Sequence, residues 1–209
     1  MGELRYLKRK GFVFEATNGR YLPIPALTHL LPGRYQAHLL ANGRWLLSAT
    51  PIDPPTTLYD NYQQLLAKTF GFRPQDLDLN NQGELSFYQK CLATFRRAIV
   101  YIIPIFLFSL PGYFFLLFIG LIILLDVGHY IYNLWFLPLE TVQGEIITSY
   151  YYRHTGRGKS KRYYIAQVNN QNLHITHQQY EVLQSKLTYQ IYYVKDHIMS
   201  LKLIDTNLS

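Results

Sequence analysis

Residues 98–139 read AIVYIIPIFLFSLPGYFFLLFIGLIILLDVGHYIYNLWFLPL, and no charged residue occurs from Ala98 to Leu125. About 20 apolar residues in a helix are enough to cross a hydrocarbon core about 30 Å thick. The block is too long for one ordinary span and long enough for two, with Pro111-Gly112 as the break between them. Pro104 falls inside the first arm, where it kinks a membrane helix without ending it. Upstream, Ser86 and Gln89 have the spacing of a capping box that starts a helix. Tyr130, Tyr132 and Trp135 cluster near the other end, as aromatic rings do at a membrane–water interface. The expectation is therefore a transmembrane helical hairpin over 86–139. A hairpin that only dips into the bilayer, or one tilted span, would also accommodate the run.

Lys90, Arg96 and Arg97 precede the first arm, and the Pro-Gly turn carries no charge. The positive-inside rule then puts both flanking parts on the cytoplasmic side, in a multi-pass protein of the cell inner (plasma) membrane with both termini cytoplasmic. Asp126 is the only acid in the apolar block. In two antiparallel arms joined at Leu110 and Tyr113, Arg97 and Asp126 lie at equal depth. An intramembrane charge costs about 2.5–3.5 kcal/mol and is relieved by pairing, so Arg97 and Asp126 form a candidate structural pair.

Outside this block 97 residues precede and 70 follow, each too few to bury a large core alone. The net charge of +7 is spread over both parts: 12 Lys/Arg and 7 Asp/Glu before the block, 8 and 5 after it. The single cysteine, Cys91, excludes an internal disulfide. A basic start (Arg5, Lys8, Arg9, Lys10) is followed by GFVFEATNGR rather than an apolar stretch, which does not fit a signal peptide.

Residues 1–55 read as a β-rich unit with hairpin turns at Asn18-Gly19 and Asn42-Gly43 and a helical turn within 26–31. Residues 56–85 read as a helix over 57–70, with Thr57 as N-cap and Gly71 as C′ residue, followed by a polar linker. Leu58, Tyr62, Leu65, Leu66 and Phe70 make its apolar stripe. Residues 140–209 read as β-β-β-α-β-β, an order compatible with a small OB-type barrel. A faint repeat relates Tyr35-Gln36, a strand, a turn and Ser48 to Tyr189-Gln190, a strand, a turn and Ser200. The fold class expected is thus an α+β membrane protein, its transmembrane helical hairpin inserted between two small β-rich units. With Arg96-Arg97, the hairpin, Gly144-Glu145 and the Tyr-rich strand before Ser200, the chain resembles a group of uncharacterised bacterial membrane proteins, a resemblance that implies no known activity.

Catalytic and metal signals are weak. Gly158-Lys159-Ser160 lacks the earlier glycine of a P-loop, since Arg153 stands there. Asp76, Asp78 and Asn80 begin like a calcium loop, but Asn81 and Phe87 occupy the positions of its Gly and Glu. His174 and His177 have no third ligand in register, and surface histidines beside a turn are the simpler reading. No cofactor, metal or enzymatic activity is expected. The remaining feature is a basic turn, Arg153, Arg157, Lys159, Lys161 and Arg162, flanked by Tyr150–Tyr152 and Tyr163-Tyr164. It suits anionic lipid headgroups, with single-stranded nucleic acid less favoured and a solvated, charge-blunted hairpin tip the plain alternative. The functional expectation is a membrane-anchored, non-enzymatic protein whose cytoplasmic β-domain docks a protein partner or membrane complex, as an accessory subunit would. The alternative is a lipid- or nucleic-acid-binding module using the turn 153–162.

Overall fold

The computed structural model describes residues 1–7, 11–17, 19–22, 30–39, 46–95, 99, 113–154, 160–185 and 187–204. Strands dominate, in two sheets. The turn at Asn42-Gly43, Asn18 of the first turn, most of the helical turn within 26–31, Pro104, Pro111-Gly112 and nearly all of the first apolar arm lie outside the described residues.

Among the described residues no helix is long and apolar enough to cross a membrane. This overturns the transmembrane hairpin and the membrane-protein fold class. With them go the multi-pass inner-membrane location and its cytoplasmic termini. The second arm does form a helix, Tyr113–Phe136, but its last turns carry Asp126, His129, Tyr130 and Asn133 and dock on strands. Leu134 is 4% exposed and packs with Val194 and Met199. An apolar run reports that something covers it, and here protein covers its end.

The C-terminal sheet has the order β6(Glu140–Glu145)-β10(Thr188–Val194)-β11(His197–Leu203)-β9(Gln171–Ile175)-β8(Ser160–Val168)-β7(Ile147–His154). Its two ends are one bent strand. The Ile146 amide donates to the Leu187 carbonyl and carries the β6–β10 ladder up to the residue where β7 begins to pair with β8. β9 and β11 are parallel and meet at a single pair, His174 and His197. Counting 140–154 as one strand gives a five-stranded, partly open barrel of the OB kind. Asn169 and Asn170, both with positive φ, form the two-residue turn between β8 and β9. A capping box of Thr176 and Gln179 starts the helix between β9 and β10, α5(His177–Val182).

The N-terminal sheet runs β3(Tyr21–Leu22)-β2(Gly11–Ala16)-β1(Gly2–Leu7)-β4(Gly33–Leu39)-β5(Leu46–Pro51). This is the same neighbour scheme: first strand between second and fourth, second beside third, fourth beside fifth. The faint sequence repeat falls on equivalent strands. Tyr35, the third residue of β4, donates its hydroxyl to the Leu31 carbonyl at 2.7 Å; Tyr189, the second residue of β10, donates its hydroxyl to the Gln184 carbonyl at 3.3 Å. Both rings are buried.

The barrel's gap is closed by helices. α1(Pro55–Phe70) starts two residues earlier than its sequence pattern suggests, because Pro55 is pre-set for the first helical position, and stops at Gly71 in the left-handed region. Its Gln63 accepts from the Leu203 amide and donates to the Leu201 carbonyl, and Tyr59 donates to the Leu203 carbonyl. Side chains of α1 thereby take the place of a strand beside β11. The stretch expected to be a polar linker contains α2(Asp76–Asn81), whose Asn80 bonds to Ser200 and whose Asn81 accepts from Tyr192. A third helix, α3 (residues 87–95), starts at the Ser86–Gln89 capping box, both of whose bonds form; Tyr113–Phe136 is α4. One continuous core joins the two sheets through Leu58, Tyr62 and Leu66 of α1. Close packing is strictest at Gly33, where an added Cβ would lie 2.1 Å from the Leu58 side chain.

Two outcomes follow from this arrangement. Gln63→Ala leaves a β11 amide and carbonyl without partners, and should cost about 1–3 kcal/mol in urea unfolding. The second concerns pH. Burial pushes the Tyr35 phenol from 10.0 up to about 12 and raises Tyr62 and Tyr189 as well. These phenols ionise more easily in the unfolded chain, so their contribution is complete below pH 10 and is lost as pH climbs from about 10 to about 12. Unfolding free energies measured across that window should fall steeply, and Tyr35→Phe should make the fall shallower.

Candidate functional site

β7 and β8 form a hairpin that extends past the barrel. Their register sets Tyr150 opposite Tyr164, Tyr151 opposite Tyr163, Tyr152 opposite Arg162 and Arg153 opposite Lys161. Side chains alternate between faces, and Ala166 and Val168 of β8 point into the core. The hairpin consequently has two different sides.

The inward side holds Tyr150, Tyr152, Arg162 and Tyr164. The Arg162 guanidinium lies 4.8 Å from the Tyr150 ring centre and 5.2 Å from that of Tyr152, and donates to the Tyr152 hydroxyl at 2.6 Å. That hydrogen bond holds its pKa above the ordinary arginine value. Tyr150 and Tyr164 pack on Tyr180 of α5, and Tyr164 stacks on His177. Tyr150 and Tyr164 thereby fix this side of the hairpin to α5, although Tyr150 and Tyr152 keep about half of their surface exposed.

The outward side is differently built. Tyr151 and Tyr163 stack at 5.5 Å with their planes 16° apart, and the Lys161 ammonium sits 5.4 Å from the Tyr163 ring. Two residues nearer the tip, Arg153 and Lys161 are cross-strand partners of like charge, which destabilises a sheet. No acid lies between Ile146 and Tyr180, a stretch with five Lys/Arg. The chain itself thus supplies no neighbouring counter-charge within this stretch. Positive charge beside a stacked aromatic pair, Tyr151 exposed and Tyr163 half-buried, is the kind of surface that can receive an anion carrying planar groups.

Further along the same face come Ser149, Ile165 and His174, which pair in turn across β7, β8 and β9, and then His197, which pairs with His174. Proximity of His197 to His174 has no local signal, because the two lie on strands separated by α5 and β10. His177, weighed in sequence as a companion of His174, sits on α5 instead, 3.2 Å from Glu181. Among the described residues no group of three His, Cys, Asp or Glu could hold a metal. Asp76 is buried and bound to the Arg73 amide at 2.7 Å, which gives the calcium-like residues a structural role.

Of the basic residues singled out in sequence, the hairpin brings Arg153 and Lys161 together on the outward side and turns Arg162 inward; Arg157 and Lys159 lie outside the described residues. Asp126 is on α4, whereas Arg97, and with it the Arg97–Asp126 pair, lies outside the described residues. No family model, curated protein or solved structure matches the chain.

The like-charge pair makes a direct prediction about stability. Lys161→Gln should raise the unfolding free energy by a few tenths of a kcal/mol at low salt. At about 1 M salt, where screening acts within roughly 3 Å, the gain should vanish. A loss of stability at low salt would show that the pair is not repulsive.

Proposed function

We propose that the chain is a non-enzymatic binding module that takes single-stranded nucleic acid on the outward face of β7–β9. The observation that carries this is the juxtaposition of Arg153 and Lys161 with the Tyr151–Tyr163 stack, in a stretch without acids. Phosphates relieve the repulsion of the cross-strand cations, and bases find the Tyr151 ring, which is exposed. Stacking on such a surface contributes about 1–3 kcal/mol per base without selecting sequence. The strand 2–3 face and the loop between strands 1 and 2 of an OB-type barrel are where oligonucleotides bind, and here they are β8–β9 and the basic tip.

The test is a titration with a fluorescent oligothymidylate over a range of salt. Affinity should fall as salt rises, with a log–log slope of about −0.7 for each phosphate contacted. Arg153→Gln with Lys161→Gln should flatten that slope by about one to two charges, whereas Tyr151→Ala should weaken binding about tenfold at an unchanged slope. Binding to anionic vesicles with none to the oligonucleotide would assign the face to lipid headgroups, and failure to bind either would leave it to a protein ligand; each result overturns this reading.

A further inference from the structure

His174 and His197 stand side by side at the mouth of a cavity of about 420 Å³, within the range of small-molecule sites. Phe70 and Met199 give it apolar walls, and Ala93 of α3 and Tyr130 of α4 line it as well. The Tyr130 and His197 rings meet edge to face at 6.2 Å. His174 and Gln179 also line it, and His174 and His197 are both exposed. Apolar walls with imidazole and amide groups among the lining residues suit a planar ring with a mixed hydrogen-bonding edge, and a volume of about 420 Å³ holds one such ring rather than a length of polymer.

The position of the cavity relative to the outward face follows from the register. Lys161, Tyr163 and Ile165 lie two residues apart along β8, and Ile165 is paired with His174. The rows on that face are therefore about 7 Å apart, and the tip charges lie about 13 Å from the His174 row. A strand with a phosphate between Arg153 and Lys161 and a base on Tyr151 runs toward the cavity.

We propose that this cavity receives the terminal nucleobase of the bound strand, so that the module prefers a free end to an internal segment. The proposal rests on the nucleic-acid reading above and adds a subsite to it.

The experiment uses the full chain and short oligothymidylates with one 2-aminopurine, placed at the 5′ end, the 3′ end or the centre. Binding should change the fluorescence of one terminal probe well beyond that of the central one. Ala93→Trp, which fills the cavity, should abolish the terminal signal and weaken binding about tenfold, one stacked base, with the salt slope unchanged. His174→Ala with His197→Ala, at two exposed positions, should have the same effect and serves if the tryptophan variant does not fold. If all three probes respond alike and neither variant alters affinity while salt-dependent binding persists, the end subsite is wrong and the binding face stands. If no oligonucleotide binds, the binding face and the subsite both fall.

Discussion

The unpaired side of β11 is the constraint on which the rest of the structure depends. β9 touches β11 at one residue pair, so the backbone groups of Met199, Leu201 and Leu203 that face away from β10 would otherwise open onto a gap in the barrel wall. Buried backbone groups without partners cost more than most side-chain contacts return. The chain answers with polar side chains from three helices. Gln63 and Tyr59 bond the β11 backbone from α1, Asn80 bonds Ser200 from α2, and Gln89 of α3 donates to the Met199 carbonyl. The hydroxyls of Tyr62 and Tyr189, 2.6 Å apart and fully buried, lock α1 to the strand beside β11. This is why α1 cannot slide: its polar groups have a fixed register on a strand, and its apolar stripe has a fixed sheet.

The same closure joins the two halves. Gln184 sits at the end of α5 and donates to the Leu30 carbonyl, and Tyr6 of β1 donates to Glu181. Burial and the Glu181 bond together push the Tyr6 phenol up to about 12. Each half repeats one strand scheme with a buried tyrosine near the start of its fourth strand. Among the described residues each half is also incomplete, the N-terminal sheet without pairing between β3 and β5 and the C-terminal barrel with a single pair between β9 and β11. α1, which follows β5 in sequence, fills the gap of the other half. The arrangement makes the halves one core rather than two small ones, which suits units too short to be stable alone.

What was legible in the sequence was what is local. The capping box at Ser86–Gln89 is a spacing of three residues, and the αL glycine at Gly71 is a single position, whereas the second capping box, Thr176–Gln179, equally local, went unread. α1 shows its stripe because Leu58, Tyr62, Leu66 and Phe70 recur at helical spacing. The alternation in β10 and the Asn-Asn turn at 169–170 are equally near-range. Partners distant in sequence left no such trace. Gln63 looks like any exposed helical glutamine until β11 is beside it, and Asn80 like part of a polar linker until Ser200 is. The apolar run 98–139 misled for the same reason. Its hydrophobicity is real, but only the fold shows that Leu134 rests on Val194 and Met199. At the candidate site the basic turn was visible as composition, whereas its division into an inward Arg162 and an outward Arg153–Lys161 pair required the strand register.

That division explains how a repulsive pair is tolerated. Arg153 and Lys161 sit beyond the barrel, several residues past the last core positions of β7 and β8, where exposed charges are largely hydrated. On the opposite side of the same ladder, Tyr150, Tyr164 and Tyr180 pack together and Arg162 bridges two rings. One face of the hairpin therefore supplies the cohesion that lets the other face carry unneutralised charge. A two-stranded ribbon alone is marginal in water; here α5 anchors one side of it, and the other side is relieved of having to bury its residues. The cost of the cationic pair stays local to the tip, away from the core that holds the fold.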